Sequence, residues 1–340
     1  MLAPQVTRIR VPIIIGLVCG AAFAVYPSFV QLDMTDPVTR RTFRAVSAED
    51  YRLALDGRAP FPYQWRMLGP WVVRAGERAT GADPHAIDAG VKVAALSLSA
   101  AALGLFAASI AGPALGCASV GFYLAASAGA FASQGYSIYY TSDYLMIAAW
   151  FWAVYAMARR KFAAAALIVF AGAWAKETMI VAPMCAALLW RRGGADARDL
   201  ALIAAAFAIP TVALRLIYAA PLAAWAWWGS LYRNVPFLDP RPSALAIALR
   251  DNAKVLLFYN AGWWLAARGA WRSRNPMVRD LALTLLIYLA LAYVVVYIRE
   301  LRHMLPLAIL VIPVALSELL PGQRTTGFFG SFDQSCHDPT

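Results

Sequence analysis

The chain has 340 residues, of which 61% are hydrophobic and only 14% are charged. This balance excludes an ordinary soluble domain and indicates a multi-pass membrane protein. Much of the net charge of +11 comes from basic residues that directly follow apolar runs, as at residues 159–161 and 191–192. Because such a distribution marks cytoplasmic loops, the sequence predicts membrane lipids, and no nucleic acid, as partners.

The apolar runs predict an all-α fold, a polytopic membrane helix bundle. A helix satisfies its own backbone hydrogen bonds in lipid, and about 20 apolar residues cross the hydrocarbon core. Small residues in the first run resemble a signal-peptidase site, but the run continues past them, which favours a retained span. We expect about ten transmembrane spans, at residues 9–30, 87–110, 113–132, 143–158, 162–175, 178–190, 200–219, 254–267, 281–298 and 304–320.

The loop charges predict the orientation of the bundle. Basic loops mark the cytoplasmic side, so both termini are expected in the cytoplasm, in a protein of the bacterial inner membrane. The polar C-terminus predicts disorder. The bundle is predicted at residues 1–320. It includes a long first extracytoplasmic segment with interfacial helices at residues 31–86 and a Trp- and Pro-rich outer loop at residues 220–252. The disordered cytoplasmic tail is predicted at residues 321–340.

Every strongly polar cluster falls at the same, extracytoplasmic end of the predicted spans. Charges at the rim of a membrane are costly and need a reason to be there, so several clusters at one end predict a functional site. The clusters contain Glu49 and Asp50, Asp143, Lys176 and Glu177, and Arg299, Arg302 and His303.

The first cluster supplies a candidate catalytic base. A carboxylate above an apolar bundle can accept a proton, and we assign this role to Asp50, with Glu49 beside it. Alternatively, Ser47 and Asp50 form a capping box that opens a helix ending at Leu55, and the carboxylates are merely exposed. Three other outer carboxylates remain open as the base: Asp33, Asp36 and Asp56.

The next two clusters lie at the outer ends of helices. Asp143 is predicted to face the first carboxylate across a cavity, or else to cap the helix that it opens. Lys176 and Glu177 are expected where two short spans turn, and one long span with a buried Lys–Glu pair is the alternative. Lys176 then either binds a phosphate as a compact charge or extends its ammonium group to water.

The last cluster predicts a second phosphate contact. Arg299 and Arg302 are three residues apart, so a helix presents both on one face, where they can bracket a phosphate. A polar turn between helices is the simpler alternative, and His303 either orients or protonates a substrate or is a bystander. Arg66 completes the predicted substrate site, and four aromatic residues of the outer segments either line that site or anchor the chain at the membrane interface: Tyr63, Trp65, Trp227 and Trp228.

The sequence contains no motif for a nucleotide or a resident metal. It lacks GxGxxG and GxxxxGK[ST] loops and the HExxH motif. Its four cysteines contain no CxxC pair and are expected in the core. We therefore expect no cofactor, with a divalent metal left open. A cation-rimmed outer cavity beside lipid favours a lipid-linked phosphate donor.

The first outer segment contains, in this order, an acidic residue followed by a Tyr, a turn that contains Gly, and a Pro. The pattern occupies Glu49, Asp50, Tyr51, Ala54, Leu55, Gly57, Pro60, Tyr63 and Pro70. It resembles the GT-C superfamily of integral-membrane glycosyltransferases, which use polyprenyl-phosphate sugars, and the resemblance extends over about residues 9–190. By this resemblance Asp50 takes the position of the catalytic base, Asp143 that of an acidic residue opening a later span, and Lys176 that of a Lys ending a short helix. The Glu-Asp order and its distance from the first span differ from the family's pattern, which keeps Asp33 and Asp36 open as the base.

The resemblance implies an inverting glycosyltransferase. Asp50 deprotonates a hydroxyl of an extracytoplasmic glycan, lipid or protein, which attacks the anomeric carbon of a polyprenyl-phosphate sugar, while the cations stabilise the departing phosphate. One alternative is a transporter or flippase of an anionic lipid or solute, with Asp143 and Glu177 as proton sites. Another is a non-enzymatic subunit of an envelope complex. The sequence specifies neither the sugar, nor the acceptor, nor the oligomeric state.

Overall fold

The computed structural model is all-helical over the residues that it describes, which are 3–36, 39–56, 58–59, 63, 66–132, 136–218, 234–235, 242–273, 275–295 and 300–319. The α-helices in chain order are α1 (Ala3–Ser28), α2 (Phe43–Leu55), α3 (Leu68–Thr80), α4 (Pro84–Ala111), α5 (Pro113–Ala132), α6 (Thr141–Ala158), α7 (Phe162–Ala175), α8 (Val181–Arg191), α9 (Ala197–Ile217), α10 (Pro242–Tyr259), α11 (Ala261–Arg272), α12 (Pro276–Val295) and α13 (Ala308–Leu319). Short 3₁₀ helices cover Val30–Asp33, Ile138–Tyr140, Glu177–Ile180 and Leu301–Leu307.

Six helical segments are long and apolar enough to cross a membrane, which is consistent with a multi-pass membrane protein. The predicted all-α fold is confirmed. The count of ten spans stays a prediction, because the remaining predicted spans form helices that are shorter, interrupted or less apolar. The six segments are Val11–Asp33, Pro84–Ala111, Pro113–Phe131, Ala197–Ile217, Pro276–Val294 and Leu301–Leu319.

Helix α6 lies at the centre of the bundle. It packs against α4 and α7, and Trp150 in its middle is fully buried. The indole Nε1 of Trp150 donates to the carbonyl oxygen of Pro306 at 3.1 Å, so α6 is tied to the segment before α13. On the other side of α6, the hydroxyls of Ser99 and Tyr123 are 2.8 Å apart and satisfy each other between α4 and α5. The first contact fixes the middle of α6 relative to the start of α13, and the second joins α4 to α5.

Helices α4 and α5 approach most closely at Gly116. A Cβ atom at this position would lie 2.6 Å from the carbonyl oxygen of Gly104, a distance that real Cβ atoms do not adopt. We therefore expect Gly116→Ala to lower the free energy of unfolding by about 1–3 kcal/mol, because the two helices must move apart. Thermal unfolding of the purified protein in detergent measures the effect.

The matched control is Gly121→Ala on the same helix. A Cβ atom at Gly121 meets nothing within 4 Å, so this alanine causes no clash. Because alanine also favours the helical state over glycine, Gly121→Ala is expected to unfold at the wild-type temperature or slightly above it. Equal melting temperatures for the two variants would show that the approach of α4 and α5 is not tight.

The polar clusters and the basic loops lie at opposite ends of the bundle. Residues 160–164 before and in α7 and residues 193–199 before and in α9 line one cleft, so these two helices start at the same end. Asp143 opens α6 and Lys176 follows α7, which places both at the other end. The predicted separation of acidic and basic loops is thus present in the fold. Which end faces the cytoplasm stays a prediction.

The predicted capping box at Ser47 is wrong. Helix α2 begins at Phe43, and the side chain of Thr42 accepts the capping hydrogen bond from the backbone N–H of Ala45 at 3.3 Å. Ser47 is therefore an interior, buried helix residue. Thr42 is also a favourable N-cap residue and comes five positions earlier, so the helix takes in more of the chain. The predicted end of this helix at Leu55 agrees with the structure.

The predicted span at residues 254–267 is not one helix. Asn260 has φ 46° and ψ −129°, which separates α10 from α11. Helix α10 begins at Pro242, inside the predicted outer loop, because the fixed φ of proline suits the first position of a helix. Much of that loop (residues 219–233 and 236–241) and the predicted tail at 321–340 lie outside the described residues.

Candidate functional site

Asp143 is the centre of a buried ionic cluster. Its carboxylate forms ion pairs with the ammonium group of Lys176 and, at 2.9 Å, with Nε of Arg302. Lys176 reaches it because α7 ends at Ala175 and Lys176 is extended, with φ −162° and ψ 140°. Arg302 comes from the 3₁₀ helix before α13. Three segments far apart in sequence therefore meet at one buried carboxylate.

Glu300 and His303 complete this group, the Asp143 cluster, which consists of Asp143, Lys176, Glu300, Arg302 and His303. The Nη2 of Arg302 donates to Oε2 of Glu300 at 2.6 Å, and Nε2 of His303 lies 3.1 Å from the same oxygen. Burial alone would raise the pKa of Glu300, but the hydrogen bond with His303 and the charge of Arg302 outweigh it and lower the pKa to about 2. Glu300 is therefore ionised at physiological pH.

A second buried ion pair lies beside the Asp143 cluster. The Nη2 of Arg66 donates to Oε1 of Glu177 at 2.8 Å. The hydroxyl of Ser142 donates to the carbonyl oxygen of Arg66 at 3.2 Å, which ties the segment before α3 to the first turn of α6. Lys176 and Glu177 thus do not pair with each other, and Lys176 does not extend to solvent. Each of these neighbours binds a different partner on a different segment.

A layer of tyrosines connects the two ionic groups. The ring of Tyr63 stacks on that of Tyr139 with centroids 4.3 Å apart, and Cζ of Arg66 lies 5.0 Å from the Tyr63 centroid. The next residue, Tyr140, lies under Arg302, whose Cζ is 3.8 Å from the ring centroid. Cations over aromatic faces gain attraction from the ring quadrupole. The layer therefore holds both guanidinium groups in place.

Asp50 lies on the far side of this layer. The hydroxyl of Tyr139 donates to the main-chain carbonyl oxygen of Asp50 at 3.3 Å. The Asp50 side chain is half-buried, and among the described residues its carboxylate has no hydrogen bond or ion pair. Burial raises the pKa of Asp50, and the neighbouring charge of Glu49 raises it further. A half-buried carboxylate with a raised pKa is well suited to accept a proton.

The other acidic residues of the first outer segment are placed differently. Glu49 is exposed and pairs with Arg41 at 3.0 Å, so the structure does not bring it to the ionic groups. Asp33 pairs with Arg44 at 3.0 Å. Asp36 binds the Thr39 hydroxyl at 2.7 Å, and Asp56 is exposed at the end of α2. Asp50 thus differs from them in its burial beside the tyrosine layer.

Two buried guanidinium groups in this region keep unused hydrogen-bond donors. Among the described residues, Nη1 of Arg302 and Nε of Arg66 have no hydrogen-bond partner, although both side chains are buried. Leaving a buried donor unpaired costs about 1–3 kcal/mol, and more when it is charged. Guanidinium groups match the oxygens of phosphate and carboxylate in geometry. The site can therefore bind an anion with several oxygens.

Sequence reasoning missed a third polar group at the same end, formed around Asp88 on α4. Its carboxylate pairs with Lys92 at 2.6 Å and accepts hydrogen bonds from the hydroxyls of Tyr136 and Thr141. Nζ of Lys92 donates to the carbonyl oxygen of Ser137 at 3.0 Å. The sequence signal for this group is an Asp and a Lys four residues apart, a spacing that places both side chains on one face of a helix. The group fixes residues 136–141, which carry the tyrosine layer.

An apolar groove of about 710 Å³ runs along α5, α10, α11 and α13. At one end it is lined by Leu301, which lies between Glu300 and Arg302 in sequence, and at the other by Leu319. Tyr259 also lines it, and its hydroxyl donates to the carbonyl oxygen of Met304 at 2.9 Å. The groove therefore runs from Leu301 along the length of α13, and it can hold a long apolar chain.

Several predicted site residues lie outside the described residues: Arg299, Trp65, Trp227 and Trp228. Among the described residues, no group of three or more His, Cys, Asp or Glu side chains is arranged to hold a metal ion, so we assign no metal site.

Comparison with known proteins gives no relative for this chain. No protein-family model, no curated protein and no solved structure matches it significantly. The resemblance to the GT-C superfamily therefore rests on the residues of the first outer segment and on Asp143 and Lys176.

Proposed function

We propose that this chain is an integral-membrane glycosyltransferase of the GT-C type, which transfers a sugar from a polyprenyl-phosphate donor to an extracytoplasmic acceptor. The observation that carries the proposal is the pair of unused, buried guanidinium donors on Arg66 and Arg302. Such donors suit a phosphate, and the tyrosine layer separates them from a half-buried carboxylate, Asp50, which has no partner among the described residues.

In the proposed reaction Asp50 acts as the general base. It takes the proton of the acceptor hydroxyl as the oxygen attacks the anomeric carbon of the donor sugar. The bond between this carbon and the phosphate oxygen breaks, and the polyprenyl phosphate leaves with the electron pair. Arg66 and Arg302 stabilise the charge that grows on the leaving phosphate, as oriented cations in a poorly hydrated site commonly do. One displacement inverts the anomeric configuration.

The apolar groove supports a lipid-linked donor over a water-soluble one. It begins at Leu301, next to the cluster that is assigned to the phosphate, and continues along α13. A polyprenyl chain in this groove would bring its phosphate to the end of the bundle that holds Arg302. No nucleotide-binding loop is present in the sequence to hold a nucleotide-linked sugar.

One observation favours a second candidate, a carrier of an anionic lipid or solute. Each cation of the site that the structure describes is paired with a carboxylate: Lys176 with Asp143, Arg302 with Glu300, and Arg66 with Glu177. A carrier can exchange such internal partners for its solute. The position of the site at one end of the bundle argues against a carrier, because alternating access requires a site near the midplane of the membrane.

The orientation of the bundle can be tested by labelling. The proposal requires the Asp143 cluster outside and the basic loops inside. In a protein whose native cysteines are replaced by alanine, we expect a membrane-impermeant maleimide to label Ala82→Cys and to leave Ala197→Cys unlabelled in intact cells. Both positions are exposed, and they lie at opposite ends of the bundle, just before α4 and at the start of α9. The reverse pattern would put the site in the cytoplasm.

The chemistry can be tested with the purified protein and a panel of polyprenyl-phosphate sugars with outer-face acceptors. We expect acceptor-dependent release of polyprenyl phosphate and a product of inverted anomeric configuration. A product that retains the donor's configuration contradicts a single displacement and removes the role assigned to Asp50.

A further inference from the structure

The charges of the site are arranged in two layers. The side chains of Lys176, Arg302 and Arg66 are 1%, 2% and 5% exposed. The side chains of the two glutamates that bind the guanidinium groups are more exposed, 21% for Glu300 and 32% for Glu177. An anion that approaches from this end of the bundle therefore meets negative charge first, with the cations behind it.

The carboxylates of the site fall into two kinds. Asp143 is 2% exposed and lies between Lys176 and Arg302, so it has no path to water and serves as a fixed counter-ion. Glu300 and Glu177 each occupy one guanidinium nitrogen, at 2.6 Å and 2.8 Å, and both side chains are partly exposed, although Oε2 of Glu177 is itself buried. Glu300 can turn outward and leave Arg302 paired with Asp143, whereas Arg66 needs the incoming anion as its new partner when Glu177 turns outward.

With all partners in place, the positive and negative charges balance. Arg66, Lys176 and Arg302 face Asp143, Glu177 and Glu300. A phosphate that entered without any rearrangement would meet no excess positive charge, and it would stand beside two carboxylates that repel it.

We propose that Glu300 and Glu177 are placeholders for the donor phosphate: they hold Arg302 and Arg66 in the free protein and turn outward when the phosphate binds. This inference rests on the proposed function and adds a selection step to it. A neutral lipid cannot compete for the guanidinium groups, whereas a phosphate offers more oxygens than the carboxylate that it replaces. Because the pKa of Glu300 is lowered to about 2, protonation near neutral pH does not release Arg302, and exchange requires another anion.

The test measures the binding of farnesyl monophosphate, a short soluble probe that carries the phosphate and part of the apolar chain. Glu300→Gln removes the competing charge at Arg302, so we expect it to lower the dissociation constant about tenfold, as expected for removal of a nearby like charge. Glu177→Gln is expected to do the same at Arg66. Farnesol, which lacks the phosphate, should bind wild type and both variants equally.

Glu318→Gln is the matched control, because Glu318 pairs with Arg268 at 3.5 Å at the other end of α13. It should leave the binding of farnesyl monophosphate unchanged. If wild type binds the probe and neither glutamine variant binds it more tightly, the placeholder inference is overturned and the transferase proposal stands. If neither wild type nor the variants bind it, the donor site of the proposed function fails and the inference with it. Thermal unfolding confirms that each variant is folded.

Discussion

Replacement of Asp50 by Asn is expected to lower the rate of sugar transfer by about 10²–10⁴-fold, the usual cost of losing a general base. Asn keeps the size and polarity of the side chain but cannot take up the acceptor's proton at neutral pH. The Asp50 carboxylate has no hydrogen bond or ion pair among the described residues. Its replacement should therefore leave insertion and thermal unfolding unchanged, and transfer of a radiolabelled sugar measures the loss.

The controls for this prediction are the other outer carboxylates. Asp56→Asn changes an exposed residue at the end of the same helix, α2, and should keep wild-type turnover. Asp33→Asn breaks only an exposed pair with Arg44 and should also remain active. If one of these variants is inactive and Asp50→Asn is not, the role of base moves to that residue. Normal turnover in all of them rules out a base from this segment.

The same assignment predicts a pH dependence. A general base works in its ionised form, so kcat/KM falls as the pH drops below the pKa of the base. Because burial and the charge of Glu49 raise the pKa of Asp50, the fall should begin above the ordinary range of an aspartate. Activity therefore disappears toward acid pH, and the Asp50→Asn variant should lack this acid limb in its residual rate.

Replacement of Arg302 by Lys is expected to reduce kcat about 10²-fold, comparable to the loss of one oriented donor at a charged transition state. Lysine keeps the charge, but it cannot bind Asp143 and Glu300 at once as the planar guanidinium does at 2.9 Å and 2.6 Å. Since the charge on the phosphate grows in the transition state, kcat should fall more than KM rises. Arg302→Ala should be worse, because it also leaves Asp143 with Lys176 alone.

Arg268→Lys is the matched control for this substitution. Arg268 forms a partly exposed pair with Glu318 at 3.5 Å at the opposite end of the bundle, and its replacement should leave kcat unchanged. Full activity of a folded Arg302→Lys protein would show that the guanidinium group does not touch the reacting phosphate.

The position of the polar clusters was predictable from sequence, and their pairing was not. Asp143, Lys176 and Arg302 each stand at the end of an apolar run, which is a local property. That Lys176 binds Asp143, while its neighbour Glu177 binds Arg66, depends on how α3, α6 and α7 pack. The residues of the second pair are 111 positions apart in sequence.

Other features escaped prediction because tertiary contacts override local patterns. Asp88 and Lys92 lie within an apolar span, and only the approach of Tyr136 and Thr141 turns them into a satisfied polar group. The interruption at Asn260 falls inside an apolar run, and its positive φ of 46° is set by the packing around it rather than by a Gly or Pro at that position.

The most direct measurement reconstitutes the wild-type protein in liposomes with a fluorescent polyprenyl-phosphate sugar and an acceptor in the outer solution. Release of lipid phosphate and movement of the lipid between leaflets are followed in the same sample. The transferase account predicts release that requires the acceptor and is lost in Asp50→Asn, with no protein-dependent movement between leaflets. Movement of the intact donor across the bilayer without any release of lipid phosphate would establish a carrier and contradict the account.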